Sequence, residues 1–171
     1  MNKIIPYLIL IFPVLFAGCD KGIAPLSPEE EIQKAGFSGT ITFTGQWPAD
    51  VRRTHLVVFK DPLNSAADFN AFNLSYVSLE IPYGVKEFHY ISLDSSYVPI
   101  QPGDYAYVAV AQSNTSTLSL DRKDWHVVGV YYAGGDTSSP GRLIIPRNGL
   151  VNNINIICDF NNPPKQPPGG N

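Results

Sequence analysis

The sequence predicts an all-β fold, a single antiparallel β-sandwich of about seven to eight strands, on three observations. Aromatic residues make up 12% of the chain and charged residues only 16%, a balance that suits pleated, half-buried surfaces. There are 15 Pro and 14 Gly, which punctuate short strands with turns. Finally, about eight strand-length apolar runs follow one another at short spacing, with no alternation of strands and long helices.

The first strand opens at Gly36. Phe37, Ile41 and Phe43 fall on one face and Thr40, Thr42 and Thr44 on the other, a period of two. Gly45-Gln46-Trp47-Pro48 ends it, with Trp47 placed to cover an edge of the core. Thr54 to Lys60 carries the continuous run Leu56-Val57-Val58-Phe59, which fits a strand covered on both faces. Asp61-Pro62 stops that run. Residues 62–73 form a longer connection, with one helical turn expected near Ser65 to Phe69.

Leu74 to Ile81 and Glu87 to Leu93 are the next two strands, and the intervening Pro82-Tyr83-Gly84 predicts that they pair as a hairpin. Gln101-Pro102-Gly103-Asp104 forms a tight turn into Tyr105 to Ala111, a strand whose Ala106, Ala109 and Ala111 allow close approach of an opposing layer. Residues 113–120 are a Ser/Thr-rich loop, Trp125 to Ala133 a strand and residues 134–142 a Gly/Ser/Pro loop. Asn148-Gly149 predicts a hairpin between Leu143-Ile144-Ile145 and Val151 to Phe160. In the last strand Ile154, Ile156, Cys158 and Phe160 share a face. Residues 161–171, rich in Pro, Gly and Asn, predict a disordered tail.

In front of this domain lies a different kind of segment. Ile4 to Phe16 is apolar throughout and follows a single basic residue, Lys3. As a helix its thirteen residues would span roughly 20 Å, short of the roughly 30 Å hydrocarbon core, so it reads as the apolar region of a signal peptide. Leu15-Phe16-Ala17-Gly18-Cys19 resembles the lipobox of bacterial lipoproteins, with Phe16 standing where that family usually has an aliphatic residue.

That resemblance implies cleavage between Gly18 and Cys19, removal of residues 1–18, and palmitate-type lipidation of Cys19. Two or three acyl chains give stable anchoring. Residues 19–35 then form a lipid-anchored tether. Within it Ser27-Pro28-Glu29-Glu30 predicts a short helix, Pro28 to Ala35, with Ser27 as cap and Pro28 in the first position. The acidic Glu29-Glu30-Glu31 suits the helix N-terminus.

A second resemblance emerges from Ser38-Gly39-Thr40-Ile41-Thr42-Phe43, from Leu56-Val57-Val58-Phe59, and from Pro102-Gly103-Asp104-Tyr105 leading into a valine-rich strand. Residues 36–160 resemble the transthyretin-like, or carboxypeptidase-regulatory-like, sandwich, with extra length at 61–73 and 113–142. The resemblance implies an Ig-like or prealbumin-like sandwich in a non-catalytic accessory role and carries over no catalytic residue.

Chemistry is sparse along the chain. His55, His89 and His126 each fall in a predicted strand without metal-ligand spacing, so no metal and no cofactor is expected. Cys158 alternates with core residues and reads as a small core side chain rather than a nucleophile. It is left solitary if Cys19 is lipidated; a Cys19–Cys158 disulfide is the rival. Gly134-Gly135-Asp136-Thr137-Ser138-Ser139 lacks the Lys of a phosphate loop. Asp121, Asp124 and Asp136 form no recognisable calcium loop. A surplus of tyrosines, including Tyr76, Tyr83, Tyr90, Tyr97, Tyr131 and Tyr132, admits an aromatic binding patch.

The 12 basic side chains do not outnumber the 15 acidic ones, which argues against nucleic acid as a partner. The expectation is a non-enzymatic lipoprotein of the bacterial cell envelope, on the outer membrane rather than the inner. Through its sandwich it binds or positions another envelope protein or glycan. A carbohydrate-binding accessory module using exposed Tyr and Trp is the alternative, ahead of a hydrolase.

Overall fold

The computed structural model describes residues 34–170. The signal segment, Gly18, Cys19 and the helix expected over Pro28 to Ala35 lie outside the described residues, except that Lys34 and Ala35, which are described, are not helical. Among the described residues no helix is long and apolar enough to cross a membrane.

The fold is all-β, as the period-two patterning requires. Among the described residues eleven strands run in order: β1 (Gly36–Thr44), β2 (Arg53–Phe59), β3 (Leu74–Ser78), β4 (Glu87–Ile91), β5 (Ser96–Val98), β6 (Gly103–Tyr105), β7 (Tyr107–Ser113), β8 (His126–Val130), β9 (Leu143–Ile145), β10 (Leu150–Val151) and β11 (Ile156–Asp159). The helical turn expected near Ser65 is a single 3-10 turn, Ala66–Asp68, capped by the Asp68 carboxylate, which accepts from the Ser65 amide at 2.7 Å.

The main sheet follows the order β4-β1-β11-β8-β7-β2-β3-β5, with β10 continuing β11 along the start of β1. It is mixed, not antiparallel throughout as expected. β1 runs parallel to both β10 and β11, with Gly36 opposite Leu150 and Ile41 opposite Ile156. The remaining neighbours are antiparallel. β6 and β9 form a separate two-stranded sheet.

Asparagines make the parallel seam possible. Between β10 and β11 the chain bulges through Asn153, at φ 66°. The Asn155 side chain takes over a ladder position, accepting from the Thr40 amide at 2.9 Å, while the Ile154 amide donates to the Ser38 carbonyl at 3.0 Å. Gly39 sits against this bulge so closely that a Cβ there would run into the Ile154 carbonyl.

Both expected hairpins are absent. β3 pairs with β2 and β5, whereas β4 crosses to the far side of β1. Pro82 and Gly84 do turn the chain, but Trp47 decides where it goes, since its indole N–H donates to the Val85 carbonyl at 3.1 Å. Likewise Gly149 turns at φ 101°, yet β9 pairs with β6 and β10 with β1.

The pairing forces the sheet to curl. β4 and β5 are its opposite edges, and only residues 92–95 join them, at most ~17 Å of extended chain. Phe37 of β1 accordingly meets Tyr76 of β3 and Tyr90 of β4 edge-on, at 5.3 and 5.7 Å between ring centres. Inside the curl lie Phe37, Ile41, Leu56, Val58, Val108 and Val110, all fully buried. Each contributes roughly 1.5–3 kcal/mol of transfer free energy.

β2 is covered on both faces, as its apolar run predicts. Leu56 and Val58 point into the curl; Val57 and Phe59 face a second cluster with Ala109, Ala111, Trp125 and Val127. Connections rather than strands roof this outer cluster. The composition of residues 161–171 predicts a tail without fixed structure, but Gln166 lies along β8. Its side-chain amide accepts from the Val127 N–H at 2.8 Å and donates to the Val127 carbonyl at 2.7 Å, in the manner of an added strand residue.

Candidate functional site

The outward face of β8 and β11 carries two adjoining hollows. Val130 and Tyr132 come from β8 and its continuation, and Ile157 from β11, where period two turns it away from Ile156 and Cys158. Ile157 is 69% exposed on this floor. One hollow, of about 870 Å³, continues over Tyr107 to Leu63 and Asn64. A second, of about 480 Å³, runs over Ile157 toward Asn155 and Asp159. They share Val130, Tyr132 and Thr137, and so form one groove.

Two segments wall the groove. One is the loop over 133–142, which leaves β8 through Gly134 and Gly135 at φ 65° and 80°. Its base is pinned where the Gly141 amide donates to the Tyr131 carbonyl at 2.7 Å and where Arg142 forms an ion pair with Asp104. Inside it the Asp136 carboxylate accepts from the Ser138 amide, which lowers its pKa, and Thr137, Ser138 and Ser139 line the groove. The other wall is the tail, with Lys165, Gln166 and Pro167.

Arg122 fixes that second wall. It is 7% exposed and has no carboxylate partner among the described residues. Its guanidinium donates to the Trp125 carbonyl at 2.5 Å and to the Pro167 carbonyl at 2.9 Å, and lies 5.8 Å above the Phe69 ring. Burial lowers its pKa, against the pull of Tyr107.

Aromatic and aliphatic surface forms the floor; hydroxyls and amides from Thr137, Ser138, Asn155 and Asn162 stand at the sides. Each hollow by itself falls in the volume range of ligand-binding clefts.

The residues singled out from the sequence are scattered. His55 is fully buried, with its Nδ1–H directed at the Ser78 carbonyl at 3.0 Å and its Nε2 unpartnered between the Tyr97 and Trp125 rings. Burial pushes its pKa down, so the ring is neutral. His89 is exposed on β4 beside Thr40. His126 lines a separate hollow of about 360 Å³ with Asp50 and Asp124. Cys158 is fully buried without a disulfide partner among the described residues, and burial raises its thiol pKa. Asp121 and Asp124 sit with Ser119 in one loop and Asp136 in another. Among the described residues no three His, Cys, Asp or Glu side chains converge to hold a metal.

The aromatics split in the same way. Tyr76, Tyr90, Tyr105 and Tyr107 are core residues, while Tyr83 and Tyr97 are exposed, Tyr83 edge-on to the Trp47 ring at 5.1 Å. Trp125 is 7% exposed, and Trp47 packs against Phe43 and Phe160 at 4.6 and 5.2 Å, covering a core edge as expected. Only Tyr132 among the singled-out tyrosines sits centrally in the groove. Sequence reasoning missed Ile157, Arg122 and Gln166 as site residues; an isoleucine turned outward between Ile156 and Cys158 was the one readable signal. No protein-family model matches the chain, and no curated protein or solved structure is significantly similar to it.

Proposed function

We propose that the chain is a lipid-anchored, non-catalytic module of the bacterial cell envelope that binds or positions another envelope component in the groove over β8 and β11. The curled sheet is read as a prealbumin-like sandwich, and Cys19 as the lipidated N-terminus of the processed protein on the outer membrane. The observation that carries the binding reading is the groove, whose two hollows of about 870 and 480 Å³ share Tyr132 and Thr137. The lipobox-like Ala17-Gly18-Cys19 carries the anchor.

A glycan is the second reading for the ligand. Tyr132 beside Thr137, Asn155 and Asn162 supplies one ring face ringed by hydroxyl and amide groups, the combination that suits a sugar ring.

Two experiments test the proposal. Labelled palmitate enters the wild-type chain and not Cys19→Ala; continued incorporation by the variant contradicts the anchor. A photo-crosslinker at Thr137, applied in intact envelopes, captures a defined product that the same group at Lys86, on an exposed turn away from the groove, does not. Identical products from the two positions, or none from Thr137, contradict the binding reading.

A further inference from the structure

Phe72 is 99% exposed. It stands two residues before β3, in a connection whose own geometry requires no aromatic there. The buried Asn73 side chain braces that connection, accepting from the Asp61 amide at 2.7 Å and donating to the Asp61 and Asp68 carbonyls at 3.2 and 2.9 Å. The Asn70 side chain accepts from the Phe72 amide itself at 2.9 Å. A braced loop thus holds out a phenyl ring that forgoes roughly 2 kcal/mol of burial.

Strand polarity gives the place of this ring. From β1 the chain of neighbours runs parallel to β11 and then through four antiparallel pairs, β8, β7, β2 and β3. β1 and β3 therefore point the same way, so Phe72 and Gly36, where the chain enters the domain, lie at one end of the sheet. β4 runs against β1 and ends there too, and exposed Leu93 packs beside Gly36. Lys34, Lys60 and Arg147 are exposed around this end without an ion pair among the described residues; Asp61, Asp68 and Asp94 share it.

We propose that this end lies on the bilayer that carries the lipid, with Phe72 inserted at the interface and Leu93 beside it. The inference rests on Cys19 being lipidated. Residues 20–33 reach at most ~50 Å when extended, so the end where the chain enters the domain is held within reach of the membrane. An apolar side chain that enters the acyl boundary, flanked by long cationic side chains that reach back to headgroups, is the pattern of an interfacial contact.

The test uses the full lipidated chain in vesicles of phosphatidylethanolamine and phosphatidylglycerol with brominated acyl chains. Phe72→Trp is compared with Leu79→Trp, an exposed position just past the opposite end of β3, each read as a difference from the wild type, which carries two tryptophans. Bromine quenching removes roughly half of the added Phe72→Trp emission, as insertion by 5–10 Å requires, and leaves that of Leu79→Trp unchanged. Equal quenching of the two, with the chain still floating with the vesicles, overturns the inference and spares the anchor. A chain that does not float overturns both.

Discussion

The two faces of β2 both bury apolar side chains and are differently closed. Leu56 and Val58 look into a cluster enclosed by strands of the main sheet and by β6 and β9, whereas Val57 and Phe59 look at one roofed by the connections over 62–73 and 114–125. The inner cluster is sealed by backbone pairing and close approach. Gly129 shows this, since a Cβ there would meet the Cys158 sulfur. The outer cluster is sealed by single side chains such as Arg122 and Trp125. One buried strand thus serves a scaffold on one face and, on the other, the layer whose extension forms the groove.

Substitutions should separate the two faces by size of effect. The largest is expected at the inner seam. Gly39→Ala drives a methyl into the backbone of Ile154, which cannot rotate away, and costs more than ~3 kcal/mol or prevents folding. Gly84→Ala, at φ 83° with nothing nearby to strike, loses only ~1 kcal/mol. Urea denaturation of the pair reads the difference; equal losses would mean that Gly39 is not packed as described.

Next, Leu56→Ala leaves a cavity inside the curl and costs ~3–4 kcal/mol, against about half that for the half-buried Phe69→Ala in the outer roof. An outer loss equal to the inner one would erase the distinction between scaffold and cover. Gln166→Ala leaves the amide and carbonyl of Val127 without their partner and costs ~1–2 kcal/mol. Hydrogen exchange should then accelerate at Val127 while Val110, deep in the inner cluster, stays protected.

The smallest separation lies in pH. In the outer cluster, burial lowers the pKa of His55, so the folded state binds fewer protons than the unfolded chain. Stability from this group is complete above the unfolded value of about 6.5 and falls as pH drops below it. In the inner cluster, burial raises Cys158 and pushes Tyr76 up to about 12. There the folded state holds protons longer, so stability declines as pH rises through the unfolded values, about 8.5 for the thiol and 10 for the phenol. Urea midpoints across pH should show both limbs, and His55→Gln should flatten the acid limb alone.

Much of the inner face was legible in the sequence because period two and burial are the same fact there. Phe37, Ile41 and Phe43 alternate with threonines and point inward, and the continuous run in β2 marks a strand covered on both sides. Pairing was less legible. Pro82-Tyr83-Gly84 and Asn148-Gly149 turn the chain, but a turn does not choose a partner, and Trp47 and the asparagine bulge redirected it. Parallel pairing of β1 depends on side-chain amides standing in for backbone, which no propensity records.

The outer layer was least legible. An arginine after an aspartate reads as surface, yet Arg122 is buried because two carbonyls and a phenyl ring receive it. A tail of prolines and glycines reads as disordered, and Gln166 together with Arg122 places it. The groove inherits that difficulty, since its walls are these two segments.

Tyr132 joins both halves of that groove, so its removal tests the binding account most directly. Photo-crosslinking from Thr137 in intact envelopes should give a specific product that Tyr132→Ala reduces at least about tenfold, the loss of ~1.4 kcal/mol or more expected of a central aromatic anchor. A product of unchanged yield in Tyr132→Ala, with the variant folded, would contradict it.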